Sequence, residues 1–165
     1  MTASPVEIVS CTPTLRGKFS ELWVPWLKSM TGKDPEPEDL LAVGDPESFY
    51  VRTGGAVLFA LREGQAIGVV AVKNLGGGVH EFCKLVVTEP ARGLGVGRKL
   101  VEACIEFTRH AGARLLMLQS FRRLHLALAM YERMGFVPMP PPPEMLVLAR
   151  TEVVMGLQLG VAPGA

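Results

Sequence analysis

The 165-residue sequence predicts an α/β fold of the α+β kind: one mixed, mostly antiparallel sheet of about seven strands with helices on both faces. Three observations carry this expectation. Between Gly54 and Thr88, three apolar, strand-like runs follow one another with only short glycine-bearing breaks, the pattern of antiparallel hairpins. The third run breaks at Pro90 and passes through Gly93, Gly95 and Gly97 into an amphipathic helix. The short apolar run after that helix is expected to lie parallel to the third, because a right-handed crossover returns it that way.

In chain order, Val6 to Ser10 reads as a first strand, and Thr12-Pro13 has the form of a helix cap followed by proline at the first helical position. Leu15, Phe19, Leu22, Trp23, Trp26 and Leu27 then recur at helical spacing, with Pro25 arguing for a kink or an early end. Met30 to Pro46 is rich in prolines, acids and glycines and predicts a mobile segment with short helical turns near Pro37–Ala42 and Pro46–Phe49, placed to shape substrate access. Strands follow at Ala56–Arg62 and Ala66–Lys73, joined through Glu63-Gly64-Gln65, and Gly76-Gly77-Gly78 turns the chain into a third at Val79–Thr88. After the glycine loop, Leu100, Val101, Cys104, Ile105 and Thr108 form one helical face, and Gly112 stands where a left-handed terminal residue is wanted. Arg114–Gln119 is the crossover strand, a helix spans about 122–134 and stops at Gly135, and a last strand spans about 152–159. Between them Pro140–Pro143 predicts a stiff extended spacer.

Composition narrows the partners. A net charge of +1 creates no field for nucleic acid or an anionic membrane, and no apolar run reaches the length of a membrane span. The three cysteines, Cys11, Cys83 and Cys104, are far apart, which fits reduced thiols in a cytoplasm. The start of the chain lacks a basic, then apolar, targeting pattern. His80-Glu-Phe-Cys83 has no second cluster to complete a metal site, so no metal is expected. One domain from 6 to 159 is expected, with flexible termini at 1–5 and 160–165, as a monomer or homodimer.

The stretch from Leu85 to Leu100 describes an anion cradle: glycines let the backbone approach a ligand, and the amides of the next helical turn have no intrahelical partner. The Walker and dinucleotide readings both weaken: Gly97 is followed by Arg98-Lys99-Leu100, and the dinucleotide fingerprint lacks its third glycine. What remains, Arg92-Gly-Leu-Gly-Val-Gly97, resembles the acyl-coenzyme A loop of the GNAT superfamily of N-acyltransferases. Glu81-Phe-Cys-Lys-Leu-Val-Val87 is similar to the fourth strand of one GNAT subgroup, and Ala127–Phe136 to the late helix with its Tyr-x-x-x-Gly-Phe ending.

The resemblance implies a GNAT fold whose fourth and fifth strands splay apart, so that a pantetheine arm pairs with backbone groups of Leu85, Val86 and Val87. It implies a pyrophosphate on the amides of Arg92, Gly93, Leu94, Gly95, Val96, Gly97 and Arg98, with Arg92, Arg98 and Lys99 adding charge. The cofactor implied is acetyl-CoA, as acyl donor. Many family members carry an Asn seven residues before the late-helix tyrosine; Leu124 stands there, with Ser120 or Arg122 as the polar substitutes.

An amine attacks a thioester without a nucleophilic side chain, so two proton roles need filling. Glu81 is the candidate base, acting through a water; His80 is the alternative, on the opposite face by strand alternation. The resemblance puts Tyr131 beside the leaving sulfur as acid, and the backbone N–H of Leu85 meets the charge developing on the carbonyl oxygen. Trp23, Trp26, Phe49 and Tyr50 either wall the amine site or belong to the core. The function implied is acetyl transfer to a primary amine of a small molecule or peptide; the alternative is a silent acyl-CoA sensor or scaffold.

Overall fold

The computed structural model describes residues 4–160; residues 1–3 and 161–165, part of the termini expected to be flexible, lie outside the described residues. The chain forms β1 (Glu7–Ser10), α1 (Arg16–Thr31), α2 (Pro37–Gly44), β2 (Ala56–Arg62), β3 (Gln65–Gly76), β4 (Val79–Val87), α3 (Val96–His110), β5 (Leu115–Ser120), α4 (His125–Arg133), β6 (Val137–Pro138) and β7 (Val153–Gln158). The strands make one seven-stranded sheet in the order β1-β2-β3-β4-β5-β7-β6. Every pairing is antiparallel except β4 with β5, the position of the expected crossover.

Alternation along the strands feeds two cores. Val57, Phe59, Val69 and Ala71 point towards α1 and α2, where Phe19, Trp23 and Leu27 of α1 close one layer. Leu58, Ala60, Val70 and Val72 point to the other side, against Leu100, Val101 and Cys104 of α3 and Tyr131 of α4. The helices thus cover both faces.

Two local expectations at the first helix need correction. Thr12 does not cap it: its carbonyl accepts the N–H groups of Leu15 and Arg16 in a turn, and α1 begins at Arg16 with no side-chain cap. The helix also continues through Pro25, because Phe19, Trp23 and Leu27 recur every fourth residue and are at most 3% exposed. Burial of three such side chains, about 1.5–3 kcal/mol each, outweighs an internal proline's cost of about 3 kcal/mol. In the 30–46 segment, α2 carries a capping box in which Asp39 accepts the N–H of Glu36, and a single wide helical turn follows at Glu47–Val51.

β4 is the strand that positions the site, and one residue changes its sense. Ala71 faces Cys83 and Val69 faces Val86 across the β3–β4 ladder, so β4 holds one residue more than its partner there. Lys84 sits in that bulge at φ +56°, a left-handed conformation that is uncommon for a residue with a Cβ. Before the bulge, Cys83 joins the α1 layer and Phe82 the α3 layer; after it, Val86 joins the α1 layer while Leu85 and Val87 pack towards α3. Plain alternation would have sent Lys84 to the α3 side.

Candidate active site

The parallel pairing of β4 with β5 covers only Val79–Leu115, His80–Leu116 and Glu81–Met117. Beyond it β4 runs on to Val87 and β5 to Ser120 without a ladder between them. The strands therefore part, as the resemblance implied, and the β5-facing edge of β4 beyond Glu81 keeps its backbone groups free of strand partners.

At the far end of β4 the chain makes one tight turn at Glu89–Ala91 and enters the glycine loop. Gly93 (φ +82°) and Gly95 (φ +77°) adopt the left-handed region, and a Cβ on either would meet nothing within 4 Å. The loop thus needs glycine for its backbone and leaves open space above it. α3 starts at Val96 with no side-chain cap and no acid in its first turn, so its leading amides stay available. An uncapped helix N-terminus preceded by left-handed glycines suits a diphosphate. Among the nearby cations, Arg92 Nε donates to the Val87 carbonyl (3.3 Å) and Arg98 pairs with Glu102 (2.9 Å). Lys99 is exposed and makes no ion pair among the described residues.

Where the strands part, a cleft of about 740 Å³, counted with the space open to solvent, is lined by β4, β5, α1, α4 and the segment before β7. Glu81 lines it and is only 3% exposed. Burial pushes its carboxyl up from the usual range, against the opposing pull of the Gln119 amide and of Lys73 and Lys84. Gln119 Nε2 donates to Glu81 Oε2 (3.0 Å) and to the Leu146 carbonyl (2.9 Å), while its oxygen accepts the Leu148 N–H (2.9 Å) and the Thr151 hydroxyl. With all its partners engaged, Gln119 fixes both the carboxylate and the loop that precedes β7. His80 points to the other face, as expected, with Nδ1 3.2 Å from Thr108 Oγ1 on α3, and burial lowers its pKa.

Tyr131 lines the same cleft from α4, edge-on to Phe82 (centroids 5.4 Å) and to Phe136 (6.0 Å). Burial raises its phenol, which keeps the hydroxyl protonated, and that hydroxyl has no hydrogen-bond partner among the described residues. Leu85, Ser120, Trp23 and Trp26 also line the cleft. Tyr50 does not, which corrects its place at the amine wall: it is fully buried beneath, stacked near Phe19 and touched by Cys83 Sγ (3.8 Å). Phe49 likewise stays outside the cleft, against Tyr50. Leu124 lines the cleft where the family Asn stands elsewhere, and of its substitutes Ser120 is present while Arg122 is turned to Glu152.

The sequence did not single out Lys73, Lys84, Gln119, Arg150 or Asp39. Lys84 Nζ lies 3.1 Å from Asp39 Oδ1 and 4.7 Å above the Trp23 ring, and the Lys84 and Asp39 side chains are 7% and 8% exposed. Arg150 reaches the same carboxylate with both terminal nitrogens, at 3.2 and 3.3 Å. Burial works to raise Asp39, but the hydrogen bonds and charges of Arg150 and Lys84 outweigh it and hold the carboxyl below its ordinary value. A lysine set between Cys83 and the apolar Leu85-Val86-Val87 of β4 was the one available signal; Arg150 had none, because only folding brings it to β4.

Among the described residues, no group of three or more His, Cys, Asp or Glu could hold a metal ion, and no helix is long and apolar enough to cross a membrane. The Acetyltransferase (GNAT) family matches residues 19–136. The uncharacterized N-acetyltransferase YjgM of Escherichia coli is 29% identical over 66% of this chain, and the uncharacterized N-acetyltransferase C1271.07c of Schizosaccharomyces pombe is 33% identical over 60%. The matched region spans 64% and 62% of those relatives' own lengths. A GNAT acetyltransferase structure from Staphylococcus aureus has the same fold, with a TM-score of 0.86 at 17% identity over 94% of this chain and 100% of that one. The PaiA N-acetyltransferase of Thermoplasma acidophilum, solved in complex with coenzyme A, has a TM-score of 0.70 at 14% identity over 93% of this chain and 99% of that one.

Proposed function

The chain belongs to the GNAT family of acetyltransferases, and we propose that residues 6–159 act as one domain that moves an acetyl group from acetyl-CoA directly to a primary amine of a small molecule or peptide. What carries the proposal is that Glu81 and Tyr131, from β4 and α4, line one cleft at the point where β4 and β5 part. Bound acetyl-CoA supplies an activated thioester. The open β4 edge holds its arm, and the amides of residues 92–98 with Arg92, Arg98 and Lys99 hold its diphosphate.

The chain's own work is then positional and protonic. An alkyl ammonium with a pKa of about 10.4 costs roughly 4–5 kcal/mol to deprotonate at pH 7. Glu81, made more basic by burial, takes that proton through a water. Gln119 donates to the carboxylate and keeps it aimed into the cleft. The Leu85 N–H faces the oxygen that gains negative charge, and the Tyr131 hydroxyl, held protonated, donates to the departing sulfur.

A thiol-release assay with acetyl-CoA and a panel of primary amines tests this. Release that depends on an amine supports transfer; tight binding of coenzyme A without release across the panel overturns it in favour of a sensor.

A further inference from the structure

The cleft wall is unevenly charged. Lys73, Lys84 and Arg150 line it, and the carboxylates near them are Glu81 on the wall and Asp39 behind it. Three cations stand against two carboxylates, in a pocket that Trp23, Trp26 and Phe121 also wall. A positive charge left over in partly dry surroundings is costly unless a ligand anion meets it.

The donors are also unspent. Arg150 uses two N–H groups on Asp39 and Lys84 uses one, so each retains donors for a further acceptor. Lys73 faces Glu81 across the ladder, rests 5.8 Å from the Phe49 ring and makes no ion pair among the described residues. The backbone is bent to present this charge: the bulge turns Lys84 away from the α3 layer onto the acceptor side. Asp39 holds the two inner cations at a fixed spacing, as a brace and not as a ligand, since it does not line the cleft.

We infer that the acceptor is a zwitterion: an amine that also carries a carboxylate, the carboxylate gripped by Arg150 and Lys84 while the amine is presented at Glu81. This rests on the acetyl-transfer proposal and names its substrate class. The carboxylate could belong to a free amino acid or to a short peptide's C-terminus, and the same test separates these sources.

The experiment compares, with the unmodified chain, free amino acids, their methyl esters, the corresponding decarboxylated amines and dipeptides with a free C-terminus, by thiol release from acetyl-CoA. The expected result is a kcat/KM at least about tenfold higher for an acid than for its own ester and amine, the size of one charge-assisted hydrogen bond. Free amino acids leading marks the first source, dipeptides leading the second. In Arg150→Gln the preference should fall about tenfold through KM, and Arg150→Lys should restore part of it. Esters or plain amines turning over as well as the acids would overturn the inference while leaving acetyl transfer intact. If no amine is turned over, calorimetry on the protein saturated with coenzyme A decides: acids binding where esters do not keeps the carboxylate grip and sinks only the transfer step, and binding of neither sinks both.

Discussion

Replacing Asp39 by Asn removes the one carboxylate shared by Lys84 and Arg150. The Lys84 side chain is 7% exposed, so its ammonium is left mostly buried without its ion-pair partner. Breaking a buried pair from one side costs about 3–5 kcal/mol. Arg150, 28% exposed, can turn outward, and the Trp23 ring 4.7 Å from Lys84 Nζ still offers a cation–π contact, so the lower end applies. About 3 kcal/mol corresponds to a melting temperature lower by about 6–12 °C in a domain of this size. The pH dependence has a definite sign. Asp39 titrates below its ordinary 3.8 in the folded chain, so its stabilisation is present above that value and lost as pH falls through the lowered folded pKa. Calorimetric melting at several pH values should therefore show a constant gap between native and Asn forms from about pH 5 upward, closing in stronger acid. Adding Lys84→Met to the Asn variant should recover more than half of the loss, since the more deeply buried of the two orphaned charges is removed. A single variant melting within about 2 °C of the native protein would refute the account.

Other outcomes follow from the same geometry. Tyr131→Phe keeps the edge-on packing against Phe82 and Phe136 and should lower turnover by about 10²-fold while leaving coenzyme A affinity nearly unchanged, as a titration would show. Glu81→Gln should abolish the acidic limb of the pH–rate profile. Because burial raises the folded pKa of Glu81, its stability contribution is full below the unfolded value and declines as pH rises through the folded one, so the Gln variant should gain relative stability between about pH 4 and pH 8; an equal difference at both would count against a raised carboxyl. Gly95→Ala forces a Cβ into φ +77°, which costs about 1–2 kcal/mol, and should weaken coenzyme A binding without touching the acceptor cleft.

Most of the sheet was legible because each strand in the 54–88 region is a short apolar run bounded by a glycine-bearing turn, and the cradle was legible because left-handed backbone and glycine are tied together. Thr12 misled because a local cap signal competes with a turn that places Phe19, Trp23 and Leu27 over the sheet. The acceptor side was the least readable. Tyr50 and Trp23 are both aromatic residues of the N-terminal half, yet only tertiary packing decides that Trp23 lines the cleft and Tyr50 lies below it. Arg150 stands 111 residues from Asp39, with a proline run between that read as a plain spacer. That run in fact ends in a turn that buries Met145 and returns residues 146–151 to Gln119.

The extra residue at position 84 behaves like a frameshift written in three dimensions. Upstream of it the strand's odd positions serve one client and downstream its even positions do, so straightening the bulge with that residue kept would exchange the two sides of everything after it. Leu85 would then turn from the α3 layer to the α1 layer, and the β4 edge proposed to hold the carrier's arm would present the other phase of its peptide units. Deleting the residue together with its bulge, by contrast, would leave Leu85, Val86 and Val87 on their present sides and remove only the Lys84 ammonium from the cleft wall.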